Sequence, residues 1–301
     1  MRLAERFQWG TRCHVMGIIN ATPDSFSGDG LAAVSGDPVA AARALALSFA
    51  ADGADILDVG GESTRPGAAA VDAETERKRV VPVVVAIRDA LPDAVISIDS
   101  YRADVAEAAL DAGADLVNDV WGLSKDPEMA SMAARRGVPV VLMHNRSAGV
   151  GTQSDARLGA SYEAPAYRDF FAEMAASLAG LARRAEAAGI AADQIILDPG
   201  VGFGKTLEQN MALINDLHRF KGLGYPLLVG PSRKSFIGRA LDLPPEERLE
   251  GTAAAVALSV VRGADIVRVH DVRHMTRVVR MTDALIRARP DAHDAPPTGT
   301  S

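Results

Sequence analysis

The chain has one cysteine, Cys13, so no disulfide can form within it, and that residue reads as a buried, inert thiol. Aromatic residues make up only 5% of the sequence, while alanine is abundant, so helices are expected to pack closely through small side chains. No apolar run approaches the roughly 18 residues that a membrane span needs. Residues 1–10 carry charges and no apolar segment, so no secretory signal is read there and a cytosolic protein is the expectation. An excess of basic residues is also missing. The 32 Lys and Arg are outnumbered by 39 Asp and Glu, a formal charge of -7, which argues against bulk nucleic-acid or anionic-membrane binding. A small anionic substrate remains admissible, because a local group of Arg and His can hold one.

What is present is a large apolar fraction, 48% of 301 residues, enough for a sizeable core and a normal length for one α/β barrel. Eight short apolar stretches recur, at residues 14–20, 54–60, 94–100, 115–119, 139–145, 194–200, 226–232 and 264–272. Most are continuously apolar, as expected of parallel strands buried on both faces. Helical patterns follow them, for example at 38–51, 74–91, 102–112 and 167–188. Three helix-to-strand turns look alike: Gly53-Ala54-Asp55, Gly113-Ala114-Asp115 and Gly263-Ala264-Asp265. In each, glycine supplies a left-handed helix cap and a strand begins at once.

The alternation predicts a single-domain (β/α)8 TIM barrel over residues 14–288 rather than an open doubly wound sheet. Residues 1–13 would be a short N-terminal extension forming a hairpin or plug at the barrel floor. Residues 289–301, rich in Pro, Asp and Thr, are expected to be a disordered tail. The stretches 21–37, 61–73 and 146–166 are long for connections after strands, which is where barrels keep their chemistry.

Nearly every predicted strand ends in a polar residue. Asn20, Asp58, Asp99, Asn118, Asp119, His144, Asn145, Asp198, Arg268 and His270 all fall there, and Ser232-Arg233-Lys234-Ser235 follows the seventh strand. One strand-end Asp alone is often a helix cap, a reading that suits Asp24, Asp119 and Asp271; Asp58 and Glu62 could simply stabilise the rim. Convergence on one mouth carries more weight than any single residue. Asp99, Asn118 and Asp198 could serve the edge of an amino-heterocycle, with Met143 and Phe203 on its faces. Arg65, Arg268 and His270 make a positive corner suited to phosphates. Asn20 offers a neutral oxygen to a hard cation such as Mg²⁺.

Rival motifs fail. Gly204-Lys205-Thr206 resembles the end of a P-loop, but Pro199 stands where its first glycine belongs, and Gly200, Gly202 and Gly204 do not make G-x-G-x-x-G. The histidines show no zinc spacing and there is no G-x-S-x-G elbow. Lys234 beside Arg233, whose charge would depress its pKa, also admits Schiff-base chemistry as a minor alternative.

Residues 16–27 (MGIINATPDSFS), 58–67 (DVGGESTRPG), 97–100 (SIDS), 117–120 (VNDV), 197–205 (LDPGVGFGK), 232–236 (SRKSF) and 268–272 (RVHDV) resemble dihydropteroate synthase. The resemblance runs from about residue 10 to 288, with the motifs in the family's order. It implies a dimeric barrel transferase of folate biosynthesis that needs Mg²⁺. Such an enzyme condenses 6-hydroxymethyl-7,8-dihydropterin pyrophosphate with 4-aminobenzoate and releases pyrophosphate. By the same resemblance, Asp99, Asn118, Asp198 and Lys234 would hold the pterin, with Met143, Phe203, Gly230 and Arg268 around its ring. Asn20, Arg65, Arg268 and His270 would hold the pyrophosphate, with Asn20 near the metal. Phe26, Thr64, Pro66, Lys234 and Ser235 would shape the aminobenzoate pocket, where sulfonamides compete in this family. The catalytic set would be Asp99, Asp198, Lys234, Arg268 and His270. Trp121 and the Gly-rich stretch 145–160 depart from the family pattern. A pterin-dependent methyltransferase and a non-catalytic pterin-binding paralogue are the competing readings.

Overall fold

The computed structural model describes residues 3–22, 37–63, 71–153, 155, 157–163 and 166–287. Eight parallel strands form the sheet: β1 (His14–Asn20), β2 (Ile56–Gly60), β3 (Val95–Asp99), β4 (Leu116–Asp119), β5 (Val140–Met143), β8 (Ile195–Asp198), β9 (Leu228–Val229) and β10 (Ile266–Val269). Each neighbour follows in chain order, and β10 pairs back onto β1 through His14 and Ile266. A parallel bridge between Leu197 and Leu227 joins β8 to β9 and closes the ring. The eight-stranded barrel expected from the alternation is therefore present. Most of its strands are shorter than the apolar stretches, yet the polar residues Asn20, Asp58, Asp99, Asn118, Asp119 and Asp198 stay within the ladder.

Side chains alternate across a strand, so one parity faces the barrel axis and the other faces the helices. One apolar layer inside the barrel takes a residue from every strand: Met16, Ile56, Val95, Leu116, Val141, Ile196, Leu228 and Ile266. Phe7 from the N-terminal extension seals this layer from below, with Trp9 stacked on it at 5.2 Å. The extension is thus a plug, built on a short helix α1 (Leu3–Arg6) rather than a hairpin. The opposite parity, including Leu57, Val59, Ile96, Ile98 and Leu142, joins the larger core beneath the helices.

Those helices are α2 (Pro38–Ala51), α3 (Ala73–Ala90), α4 (Ala103–Asp111), α5 (Glu128–Arg136), α6 (Phe170–Ala187), α7 (Leu207–Asn215), α8 (Ser235–Leu241), α9 (Leu249–Val261) and α10 (Val272–Arg287). Their starts follow ordinary capping chemistry. Asp72 accepts from the Thr75 amide, Asp169 from Ala172, and Thr206 forms a full capping box with Gln209. Pro82 lies inside α3 without ending it.

The three look-alike turns perform one job. Their glycines sit at φ +92°, +113° and +94°, a conformation that penalises any side chain. Each following Asp accepts the amide at the start of the neighbouring strand: Asp55 from Val15 at 2.9 Å, Asp115 from Ile96 at 2.8 Å and Asp265 from Leu227 at 2.8 Å. Each also meets a cation, Arg12, Arg88 or Lys221 respectively. The repeat therefore ties adjacent strands together at the barrel floor, far from the mouth.

The described residues of the stretch after β5, which the sequence leaves unplaced, form an arch. Its two short antiparallel strands, β6 (Thr152–Gln153) and β7 (Ser161–Tyr162), make a separate small sheet. The expected tail at 289–301 lies outside the described residues.

Candidate active site

Stepping two residues up from the apolar layer keeps the same parity and changes the chemistry. Ile56 leads to Asp58, Val95 to Ser97 and Asp99, and Leu116 to Asn118. Val141 leads to Met143, Ile196 to Asp198, Leu228 to Gly230, and Ile266 to Arg268 and His270. The site is the second and third storeys of the barrel interior, and strand parity alone puts these residues there.

At its centre is a buried charge network. Arg268 donates from Nε to Oδ2 of Asp58 at 2.5 Å and from Nη2 to Oδ2 of Asp99 at 2.6 Å. Asn118 donates from Nδ2 to the same Asp58 oxygen at 3.1 Å. Asp58 is wholly buried, and its second oxygen, like the Ser97 hydroxyl, has no hydrogen-bond partner among the described residues. Buried acceptors of that kind are costly unless something else satisfies them, so they point to a ligand's donors. Burial pushes the Asp99 carboxyl upward, against the pull of Arg268 and with help from neighbouring Asp58. Arg268 itself stays firmly charged: burial works against it, but Asp58 and Asp99 outweigh that.

The other wall carries Asp198 and Lys234. Asp198 accepts from the Gly200 amide at 2.7 Å, and its carboxyl is raised by burial, partly offset by Lys234. Lys234 donates to the Val201 carbonyl and lies 4.6 Å from the centre of the Phe203 ring, a cation–π contact. Burial lowers the Lys234 ammonium to about 8; Asp198 opposes that shift and Arg268 reinforces it. Gly230 leaves the space between these groups open: a β-carbon there would lie 3.8 Å from both the Lys234 nitrogen and Arg268. His270 sits at the rim with Nδ1 3.0 Å from the Ser232 hydroxyl, which fixes its ring.

The loop after β8 is locked around this wall. Gly200 takes φ +71°, and a β-carbon on it would come within 2.1 Å of the His144 carbonyl. Lys205, almost fully buried, donates to the carbonyls of Gly200 at 2.7 Å and Phe203 at 3.1 Å. Asn210 accepts from the Gly202 amide at 2.6 Å. The P-loop-like lysine is therefore a brace. His144 is also a buried support, its ring held neutral by burial and by the charges of Lys205 and Arg146, which lower it to about 3.

The structure thus brings together Asp99, Asn118, Met143, Asp198, Phe203, Gly230, Lys234 and Arg268, with Asn20 at the end of β1, His270 at the rim and Ser235 opening α8. Phe26, Thr64, Arg65 and Pro66 lie outside the described residues, as does Asp24. Asp119 accepts from the amides of Trp121 and Leu123 in the turn after β4, so it braces that loop and does not cap a helix. A further expectation is corrected. Arg233 does not depress Lys234, because its guanidinium turns away to form a two-point pair with Asp271, Nε to Oδ2 at 2.9 Å. The sequence reading undervalued Asp58 as a rim residue. Its parity with Ile56 was the available signal, since it places the carboxylate inside the barrel.

Comparison with known proteins agrees with this geometry. Residues 16–270 match the model of the family described as pterin binding enzyme. The dihydropteroate synthase of Bacillus subtilis (strain 168) is 47% identical over 272 residues, covering 90% of this chain and 88% of that protein. The Escherichia coli (strain K12) dihydropteroate synthase is 42% identical over 276 residues, covering 92% of this chain and 93% of its own. Among solved structures, the Clostridium difficile dihydropteroate synthase with pteroic acid superposes with a TM-score of 0.83 at 43% identity, covering 94% of this chain and all of that one. The Xanthomonas albilineans dihydropteroate synthase in complex with 7,8-dihydropteroate gives 0.80 at 37% identity, covering 92% and 95%. With an interior charge network on a closed barrel and relatives matched over nearly their full length, this chain belongs to the pterin-binding enzymes, in the dihydropteroate synthase family.

Proposed function

We propose that the chain catalyses the dihydropteroate synthase reaction, joining 6-hydroxymethyl-7,8-dihydropterin pyrophosphate to 4-aminobenzoate with loss of pyrophosphate. The observation that carries this is the pairing, inside one barrel, of buried acceptors at Asp58, Asp99, Asn118 and Asp198 with the cations Arg268 and Lys234. An amino-pterin edge presents donors and acceptors that match such a set.

In this reading the bond between the pterin methylene carbon and the pyrophosphate oxygen breaks, leaving positive charge spread over the pterin. The aniline nitrogen then forms the new bond to that carbon and gives up one N–H proton, which water or the released pyrophosphate takes. Asp99 and Asp198 oppose the developing cation in a site of low polarity, where fixed charges act strongly. Arg268 and His270, with Arg65, hold the departing anion. Lys234 and Ser235, with Phe26, Thr64 and Pro66, position the amine. A weakly basic aniline needs no strong general base, consistent with the lack of a catalytic triad in the sequence.

Mg²⁺ fits as a further participant. Asn20 presents a neutral amide oxygen at the end of β1, and the described residues contain no group of three His, Cys, Asp or Glu that could cage a metal. Asn20 would be the residue that holds Mg²⁺, a hard cation that prefers oxygen ligands and keeps several of its waters. When bound, it would neutralise charge on the leaving pyrophosphate.

We further propose a cytoplasmic homodimer. Met211 on α7, Val261 on α9, and Met281, Leu285 and Ile286 on α10 are large apolar side chains with 43–65% exposure, a pattern that supports pairing through these helices. No helix among the described residues is long and apolar enough to cross a membrane.

The direct test is to incubate the purified protein with both substrates and Mg²⁺ and assay for dihydropteroate. Absence of product at saturation sinks the enzyme reading and leaves the non-catalytic pterin-binding one. Sedimentation would report the dimer.

A further inference from the structure

Among the described residues Arg248 has the largest of the fully buried side chains, yet its hydrogen-bond partners are carbonyl oxygens and not a carboxylate. It donates to Leu243 at 3.0 Å, to Arg233 at 2.8 Å and to Leu158 at 3.1 Å, residues 5, 15 and 90 positions away in sequence. A guanidinium costs several kcal/mol to bury, so its retention implies that these three segments must be held together. The room for it is built in: a β-carbon on Gly238 would lie 2.1 Å from its Nη2.

Each of the three segments bears on the site. Arg233 stands at φ +55°, a strained conformation for an arginine, immediately before Lys234 and Ser235. Its amide is also held, by the Thr252 hydroxyl at 3.1 Å. Leu243 follows α8, the helix that Ser235 begins. Leu158 belongs to the arch after β5, whose next residue, Gly159, accepts from Arg239 at 3.1 Å. A β-carbon on Gly159 would touch that of Ser235 at 3.6 Å. Arg157, pairing with Asp242, ties the arch to the same helix end.

We propose that Arg248 is a positioning residue that fixes the turn presenting Lys234 and Ser235 and seats the arch at Leu158 and Gly159 beside them, so that the arch is a wall of the aminobenzoate pocket. This rests on the assignment of Lys234 and Ser235 to the substrate site. A misplacement of about 1 Å at such a wall costs up to about a hundredfold in rate or affinity.

The test compares Arg248→Met and Arg248→Lys with the wild-type protein by steady-state kinetics and by amide hydrogen exchange. Arg248→Met is expected to raise KM for 4-aminobenzoate about tenfold or more, with a smaller fall in kcat. Exchange should quicken at 158–162 and 232–237 and stay unchanged in β1 to β4. Arg248→Lys, which keeps the charge and can still reach carbonyls, should fold where Arg248→Met fails and give an intermediate rise of about threefold. Wild-type KM together with unchanged exchange at 232–237, in either variant that folds, overturns the proposal. Exchange needs no substrate, so a wild-type protein that makes no dihydropteroate refutes the reaction without deciding the role of Arg248.

Discussion

The Nε of Arg268 lies 2.5 Å from Oδ2 of Asp58, across the barrel interior and 210 positions away in sequence. Asp58 is wholly buried and depends on Arg268, whereas Arg268 is one-fifth exposed and keeps a second partner in Asp99. Breaking a buried ion pair from one side costs more than the pair contributes, because a charge is left uncompensated. Asp58→Asn is therefore expected to lower unfolding stability by about 3 kcal/mol and turnover by more than about tenfold. Since Asp58 helps to raise the Asp99 carboxyl, the same change should lower the Asp99 pKa. Urea unfolding, with an unchanged slope, and titration of Asp99 by NMR check both; a loss below about 1 kcal/mol refutes the pairing's importance.

Lys234 gives a pH signature. Its ammonium is lowered to about 8, so it is charged below that pH and neutral above it. Pterin binding that needs the cation should weaken as pH rises through 8, while Lys234→Arg should keep binding level to about pH 10, because a guanidinium does not titrate there. Lys234→Ala should lose binding and turnover together. Calorimetric titration with the pterin between about pH 6.5 and 9.5 reads the difference. A flat wild-type profile would remove Lys234 from the binding site.

The barrel floor offers a test that does not involve the reaction. Burial raises the Asp55 carboxyl, but His14, Arg12 and the Val15 amide outweigh it and hold the group at about 2. A depressed carboxylate stabilises the fold above its unfolded value of about 3.8 and loses that contribution as pH falls through 2. Asp55→Asn is expected to cost about 1–2 kcal/mol at pH 7, discounted for the half-exposed Arg12, with the gap closing by about pH 2. Equal stabilities at pH 7 would show that the Val15 amide and Arg12 find other partners.

Much of the architecture was legible because parallel strands buried on both faces leave continuous apolar stretches, and because the three Gly-Ala-Asp turns announce where strands begin. Strand ends were read too far, by two residues on β5 and β8 and by three on β9 and β10, since apolar character does not mark where the ladder stops. The pterin-edge residues Asp99, Asn118 and Asp198 were visible as polar interruptions at strand ends. Asp58 was visible too but undervalued, because a lone carboxylate looks the same in sequence whether it faces the axis or the rim. The arch after β5 has no apolar period of its own. It is held by Arg157, Arg239 and Arg248, contacts that no local pattern encodes.

By itself the sequence determined the order of strands and helices, the apolar layer, and, through the two-residue alternation of side chains, which polar residues could reach the axis. Only the tertiary structure decided how those charges pair. Closure of the ring by β8 and β9 and the return of β10 to β1 bring Arg268 onto Asp58 and Asp99, turn Arg233 outward to Asp271, and bury Arg248 beneath the turn that carries Lys234. The physical reason is that charge pairing depends on distance and burial, and both are set by contacts between segments far apart along the chain.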